Sequence, residues 1–170
     1  MTAIAITPAG LDDAPAIAAV HVTGWRETYP GLLPAFVIDG LSVERRADHW
    51  RRWLASSERL PFVRVARDGQ AIVGLVLAGP TRTVTAFADR ELDALYVLAS
   101  HHGRGIGRAL IEAAIIDARA SAAAALGFWV VHGNTRARRF YEAGGAEAVA
   151  ERKELLDGAE VVEVGYRLSV

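Results

Sequence analysis

Residues Ser100 to Leu110 read Ser-His-His-Gly-Arg-Gly-Ile-Gly-Arg-Ala-Leu, with glycines at 103, 105 and 107. A strand-like run, Glu91 to Val97, precedes this segment, and a long helical pattern follows it. Strand, glycine-rich turn and helix together present bare backbone N–H groups to an anion at the positive end of a helix. Glycine removes the Cβ atoms that would hold a phosphate away. The spacing then decides which phosphate binder this is. A dinucleotide fingerprint needs glycine, one residue, glycine, two residues, glycine, but Arg108 stands where the third glycine would fall. A P-loop needs Gly-Lys-Ser/Thr, and the only lysine is Lys153. Neither common nucleotide motif fits.

Other residues could carry chemistry. Glu91 and Asp93 are two apart on a predicted strand, which puts both carboxylates on one face with Leu95 and Val97. Tyr141 follows Phe140 on a short helix that Asn134 caps; an aromatic there is either core or a proton donor. Trp25 and Tyr29 are four apart on one helix face just before Pro30-Gly31, where aromatics either pack or wall a site. The histidines show no metal-ligand spacing, so no metal is expected.

His102-Gly103-Arg104-Gly105-Ile106-Gly107 resembles the acyl-CoA pyrophosphate loop of the GNAT N-acetyltransferase superfamily, Gln/Arg-x-x-Gly-x-Gly/Ala, with His102 in place of Gln or Arg. Asn134-Thr135-Arg136-Ala137-Arg138-Arg139-Phe140-Tyr141-Glu142-Ala143-Gly144-Gly145 resembles the family's Asn-x-x-Ala-x-x-Phe-Tyr-x-x-x-Gly segment, with Ala146 where Phe commonly follows. The two blocks lie in the family's order and at its spacing.

The resemblance implies acetyl-CoA as cosubstrate, held by His102, Gly103, Arg104, Gly105, Ile106, Gly107 and Arg108, and by Asn134 and Ala137. Leu95, Tyr96 and Val97 would pair through backbone with the pantetheine arm, and an N–H near Val97 would polarise the thioester carbonyl. Tyr141 matches the tyrosine that protonates the departing thiolate. Glu91, six before Val97, holds a position where several members carry a base acting through water; Asp93 and water alone are the alternatives. Trp25 and Tyr29 fall where the family lines its acceptor site. The implied reaction is direct attack by a primary amine, of a small molecule or a peptide N-terminus, in a ternary complex. The rival is a non-catalytic acyl-CoA-binding sensor or structural module with the same fold. Homodimerisation is common in the family, and nothing in this sequence fixes it.

These residues need a scaffold. The implied fold is α/β (α+β): a central mixed, mostly antiparallel sheet of about seven strands, with helices on both faces, splayed between the fourth and fifth strands. The pattern agrees. Ala3 to Thr7 reads as a strand, and Asp12 or Asp13 caps a helix running through His21 and Trp25. A helical region over Leu32 to Leu41 follows, then a helix capped by Ser42 whose outer face carries Arg45, Arg46, Arg51 and Arg52, read as solvated charge. Phe62–Arg67 and Ala71–Leu77 flank the hairpin signal Asp68-Gly69. Leu92–Val97 is a strand, Ile106–Leu126 a long helix, and Phe128–His132 a short buried strand. A helix over Asn134–Ala143 and a hairpin of Val149–Leu156 and Val161–Leu168 around Asp157-Gly158 close the chain.

Composition sets the bounds. The 170 residues suit one domain, 1–170. A net charge of −1 gives no global field to recruit nucleic acid or membrane. The absence of cysteine excludes disulfides, zinc-thiolate sites and a cysteine acyl-enzyme; a Ser or His carrier stays open. Met1 to Thr7 lacks the pattern of a signal peptide, and no apolar run is long enough to span a bilayer, so the cytoplasm is the expected address.

Overall fold

Seven strands form one sheet in the order β1-β2-β3-β4-β5-β7-β6 in the computed structural model, which describes residues 3–55, 62–156 and 158–170. The strands are β1 (Ile4–Pro8), β2 (Phe62–Asp68), β3 (Ala71–Pro80), β4 (Arg90–Val97), β5 (Ala125–Val131), β6 (Glu147–Leu156) and β7 (Ala159–Ser169). The helices are α1 (Ala14–Thr28), α2 (Ala35–Asp39), α3 (Val43–Ala55), α4 (Ile106–Ala120) and α5 (Thr135–Ala143). Every neighbouring pair is antiparallel except β4 with β5.

Two apolar clusters cover the two faces. Ile17, Ala18 and Trp50 of α1 and α3 pack on Val65, Leu75 and Leu77. Ile106, Leu110 and Ala114 of α4 pack on Val76, Leu92 and Phe128 on the other side. β3 is buried along both faces, as the middle of a two-sided sheet must be. The expected hairpin forms: β2 ends at Asp68, β3 begins at Ala71, and Gly69 turns with φ of 60°. Gly158 likewise takes φ of 86°, while its predicted turn partner Asp157 lies outside the described residues.

Two expectations change. The long helix stops at Ala120 rather than Leu126. Ala122 adopts φ of 57°, and the Ala123 N–H closes the end on the Ala118 carbonyl at 3.0 Å. Alanine favours helix, but Ala125 and Leu126 are claimed by β7, opposite Ser169 and Leu168, and this long-range pairing overrides local propensity. β5 therefore begins three residues earlier than expected.

The second change is in β4. Leu77 pairs with Ala94 but Ala78 with Leu92, so Asp93 is an extra, bulged residue. Leu92 consequently packs with Leu95 and Val97 on the α4 side, while Ala94 packs toward α1 and α3. The bulge breaks the alternation that would have placed Glu91, Asp93, Leu95 and Val97 on one face.

Candidate active site

β4 and β5 pair only at Arg90 with Leu126 and Glu91 with Gly127, and then part. The Leu98 N–H bonds to Val73 of β3 at 2.9 Å. By alternation, the backbone groups of Leu95 and Val97 point the other way, into the opening, and those of Tyr96 point to β3. The opening widens into a cleft of about 550 Å³. A sheet edge exposed inside a protein is an unusual feature, since unpaired strand groups are templates for a new partner.

The glycine loop closes one end of this cleft. Gly103 and Gly105 have φ of 76° and 75°, values that other residues rarely adopt, and nothing lies within 4 Å of where a Cβ would be. The first intrahelical bond of α4 runs from the Ala109 N–H to the Gly105 carbonyl. The N–H groups of Gly105, Ile106, Gly107 and Arg108 precede it and have no intrahelical acceptor. No acidic residue stands in that first turn. A Cβ at Gly107 would stand in ordinary contact with Phe140, 3.4 Å away. His102 Nε2 lies 2.7 Å from the Val97 carbonyl. A carbonyl can only accept, so Nε2 carries the proton, and the imidazole ties the loop to the end of β4.

Of the residues singled out from sequence, Leu95, Tyr96, Val97, His102, Gly103, Gly105, Ile106, Gly107, Arg108, Asn134, Ala137, Trp25, Tyr29 and Tyr141 all line the cleft. Asn134 Oδ1 caps α5 by accepting from the Ala137 N–H at 3.1 Å. Tyr141 projects from α5 against Phe128, ring centres 4.3 Å apart. Burial, then the neighbouring Tyr29, pushes its phenol well above the ordinary value. Tyr141 belongs to the α4 side of the sheet and Tyr29 to α1, yet they sense each other across the opening.

Tyr96 forms the floor on the α1 side. Its ring stacks on His21 at 4.9 Å. A Cβ at Gly24 would lie 2.8 Å from Tyr96 Cδ1, so glycine is what lets α1 approach. Trp25 and Tyr29 meet edge to face at 5.0 Å. Burial raises the phenol pKa of both Tyr29 and Tyr96.

Two sequence-selected residues stand apart from the cleft. Arg104 turns to Asp68 at 3.1 Å and ties the loop to the β2–β3 hairpin. Glu91 is 5 % exposed, on the far side of the bulge, and does not line the cleft. Its carboxylate accepts from the Arg82 N–H at 2.6 Å, the Thr83 N–H at 2.9 Å and the Thr83 hydroxyl at 2.6 Å. Arg82, held in this way, pairs with the carboxylate of Asp93, a residue that does line the cleft.

Sequence reasoning missed Glu163, which lines the cleft and pairs with Arg152 at 2.8 Å. The available signal was an acid inside the run Val161-Val162-Glu163-Val164. Arg138 bonds the Tyr166 hydroxyl at 3.0 Å and the His132 carbonyl at 3.2 Å.

Comparison with known proteins agrees with this geometry. Residues 25–145 match the profile described as the Acetyltransferase (GNAT) family. The chain is 31 % identical over 163 residues to YuaI, an uncharacterised N-acetyltransferase of Bacillus subtilis, covering 95 % of this chain and 91 % of that one. It is 28 % identical over 170 residues to a probable N-acetyltransferase of Mycobacterium tuberculosis, covering 92 % and 88 %. In fold it is similar to the PaiA N-acetyltransferase of Thermoplasma acidophilum, solved in complex with coenzyme A, with a TM-score of 0.73, 17 % identity and coverage of 96 % and 98 %. The parted sheet, the glycine loop and these relatives agree: the chain is an acyltransferase of the Acetyltransferase (GNAT) family.

Proposed function

We propose that this protein transfers an acetyl group from acetyl-CoA to a primary amine, of a small molecule or a peptide N-terminus, by direct attack in a ternary complex. One observation carries the reading: the β4 edge at Leu95 and the Val97 N–H, which β5 does not pair, runs up to the N–H groups of Gly105 to Arg108, which have no intrahelical acceptor. A ligand that ends in a pyrophosphate and has an amide-bearing arm meets complementary groups along this whole line. The coenzyme A complex of the Thermoplasma relative is consistent with that fit.

Acetyl-CoA supplies the activated acetyl group; the chain supplies position and protons. The loop N–H groups and Arg108 hold the pyrophosphate, with His102 fixing the loop to β4. Leu95 and Val97 offer backbone bonds to the arm, while Asn134 and Ala137 wall its other side. The Val97 N–H polarises the thioester carbonyl. Tyr141, kept protonated by its surroundings, is the donor that faces the departing thiolate. Trp25 and Tyr29 wall the acceptor.

An alkyl amine with a pKa of about 10.4 arrives as ammonium at neutral pH and must lose a proton before attack. Glu91 was the sequence-derived base. Its three occupied hydrogen bonds support a positioning role instead, and we assign the base, acting through water, to Asp93. The test of the whole reading is thermal unfolding with acetyl-CoA. At about 100 times its dissociation constant, a ligand stabilises by roughly 2.7 kcal/mol, a rise of about 5–11 °C for a chain of this size. A rise absent with ATP or NAD supports the reading, and no rise overturns it.

A further inference from the structure

Arg45, Arg46, His49 and Arg52 lie on one side of α3. In the fold this side is largely exposed but concave. It faces α2, and a pocket of about 470 Å³ opens between the two helices, walled by these four residues together with Phe36 and Ser42. No carboxylate is among its lining residues in the described part of the chain. Several arginines elsewhere carry a carboxylate partner, among them Arg67 with Asp13, Arg90 with Asp117, Arg104 with Asp68 and Arg152 with Glu163. Here Arg45 donates to the Gly40 carbonyl at 2.6 Å, but the guanidinium groups of Arg46 and Arg52 have no ion pair or hydrogen bond among the described residues. Of the acids of α3, Asp48 pairs with Arg51 at 2.6 Å, and Glu44 accepts from the hydroxyl of Ser42, a wall residue of the pocket, at 2.8 Å.

The imidazoles nearby report the same imbalance. Burial and then Arg46, Arg52 and Arg82 all lower the His49 pKa, and no acid opposes them. Guanidinium groups without a partner around a concave, polar pocket are complementary to a planar or tetrahedral oxyanion.

We propose that the pocket between α2 and α3 binds a carboxylate or phosphate group through Arg46, His49 and Arg52. The Arg46 guanidinium lies 5.9 Å over the ring of Trp25, a wall of the cleft. The bound anion therefore sits behind the wall assigned to the acceptor; only this placement rests on the proposed acetyltransferase reading. The anion is either the far end of an acidic amine acceptor or a free small anion.

The test is a titration of the full chain with inorganic phosphate, in saturating coenzyme A, following the His49 imidazole resonance identified by its loss in His49→Gln. The expected result is a saturable shift, absent with sodium chloride at equal ionic strength. Apparent affinity should fall at least about tenfold in Arg46→Gln/Arg52→Gln, whose circular dichroism stays native. A shift that does not saturate, that chloride reproduces, or that survives in the double variant overturns the proposal. Coenzyme A failing to bind would overturn the cleft reading alone, because His49 reports only its own pocket. In initial-rate kinetics, phosphate competing with the amine identifies the anion as part of the acceptor. An unchanged acceptor KM identifies a free anion.

Discussion

His21 couples the packing of α1 to pH. Its Nδ1 accepts from the Trp50 indole N–H at 3.2 Å, so the neutral ring carries its proton on Nε2. Burial, then the charges of Arg46 and His49, lower its pKa from 6.5 to about 3. The unfolded chain binds this proton through pH 6.5, and the folded chain refuses it until about pH 3. The contribution is therefore fully present above pH 6.5 and is lost as pH falls toward 3. Between pH 7 and pH 5 the loss is about 2 kcal/mol, from roughly 1.4 kcal/mol per pH unit over about 1.5 units. Any folded value below about 4 gives the same loss in this window. In melting temperature it corresponds to about 4–8 °C. His21→Gln keeps an acceptor for Trp50 and does not titrate. Urea unfolding at the two pH values should show the wild type losing about 2 kcal/mol more than the variant. Equal losses would mean that the ring takes up its proton in the folded chain, and the close stack of α1 on Tyr96 would be wrong.

Tyr141→Phe should lower turnover about a hundredfold or more while acetyl-CoA affinity, read by calorimetry, moves less than about twofold. Unchanged turnover would remove the proton-donor role and favour a non-catalytic binding module. Glu91→Gln should destabilise by about 1–3 kcal/mol through its lost acceptor and leave the pH–rate profile in place, whereas Asp93→Asn should abolish the acidic limb. The reverse pattern would make Glu91 the base. Gly24→Ala should cost about 1–3 kcal/mol by scanning calorimetry, because the new methyl meets the Tyr96 ring. An unshifted melting temperature would contradict that contact.

Local signals in the sequence were faithful where local chemistry decides the structure. Asp68-Gly69 turns, Asn134 caps α5, Ser42 accepts from the Arg45 N–H at 3.2 Å, and the glycine loop opens α4. They failed where distant strands decide. Nothing near Ala120–Ala125 announces that Ala125 must stop being helical to pair with Ser169. The bulge at Asp93 leaves no trace in an alternating pattern, yet it reverses the face that Glu91 occupies. The basic residues of α3 read as a solvated stripe because the pattern foresees a helix over Leu32 to Leu41 but not that it stands opposite them across a pocket.

The sparse contact between β4 and β5 also bears on mechanics. The sheet is two smaller sheets, β1 to β4 and β5-β7-β6, each fully cross-bonded, and joined edge to edge at two residue pairs. Few strand-to-strand bonds cross the seam, and the halves are otherwise held by the apolar clusters that span it. A cosubstrate lying along it supplies the missing rungs and acts as a splint between the halves. Trp25 of α1 packs with Ala159 and Val161 of β7, so this helix already reaches across the seam beside the opening.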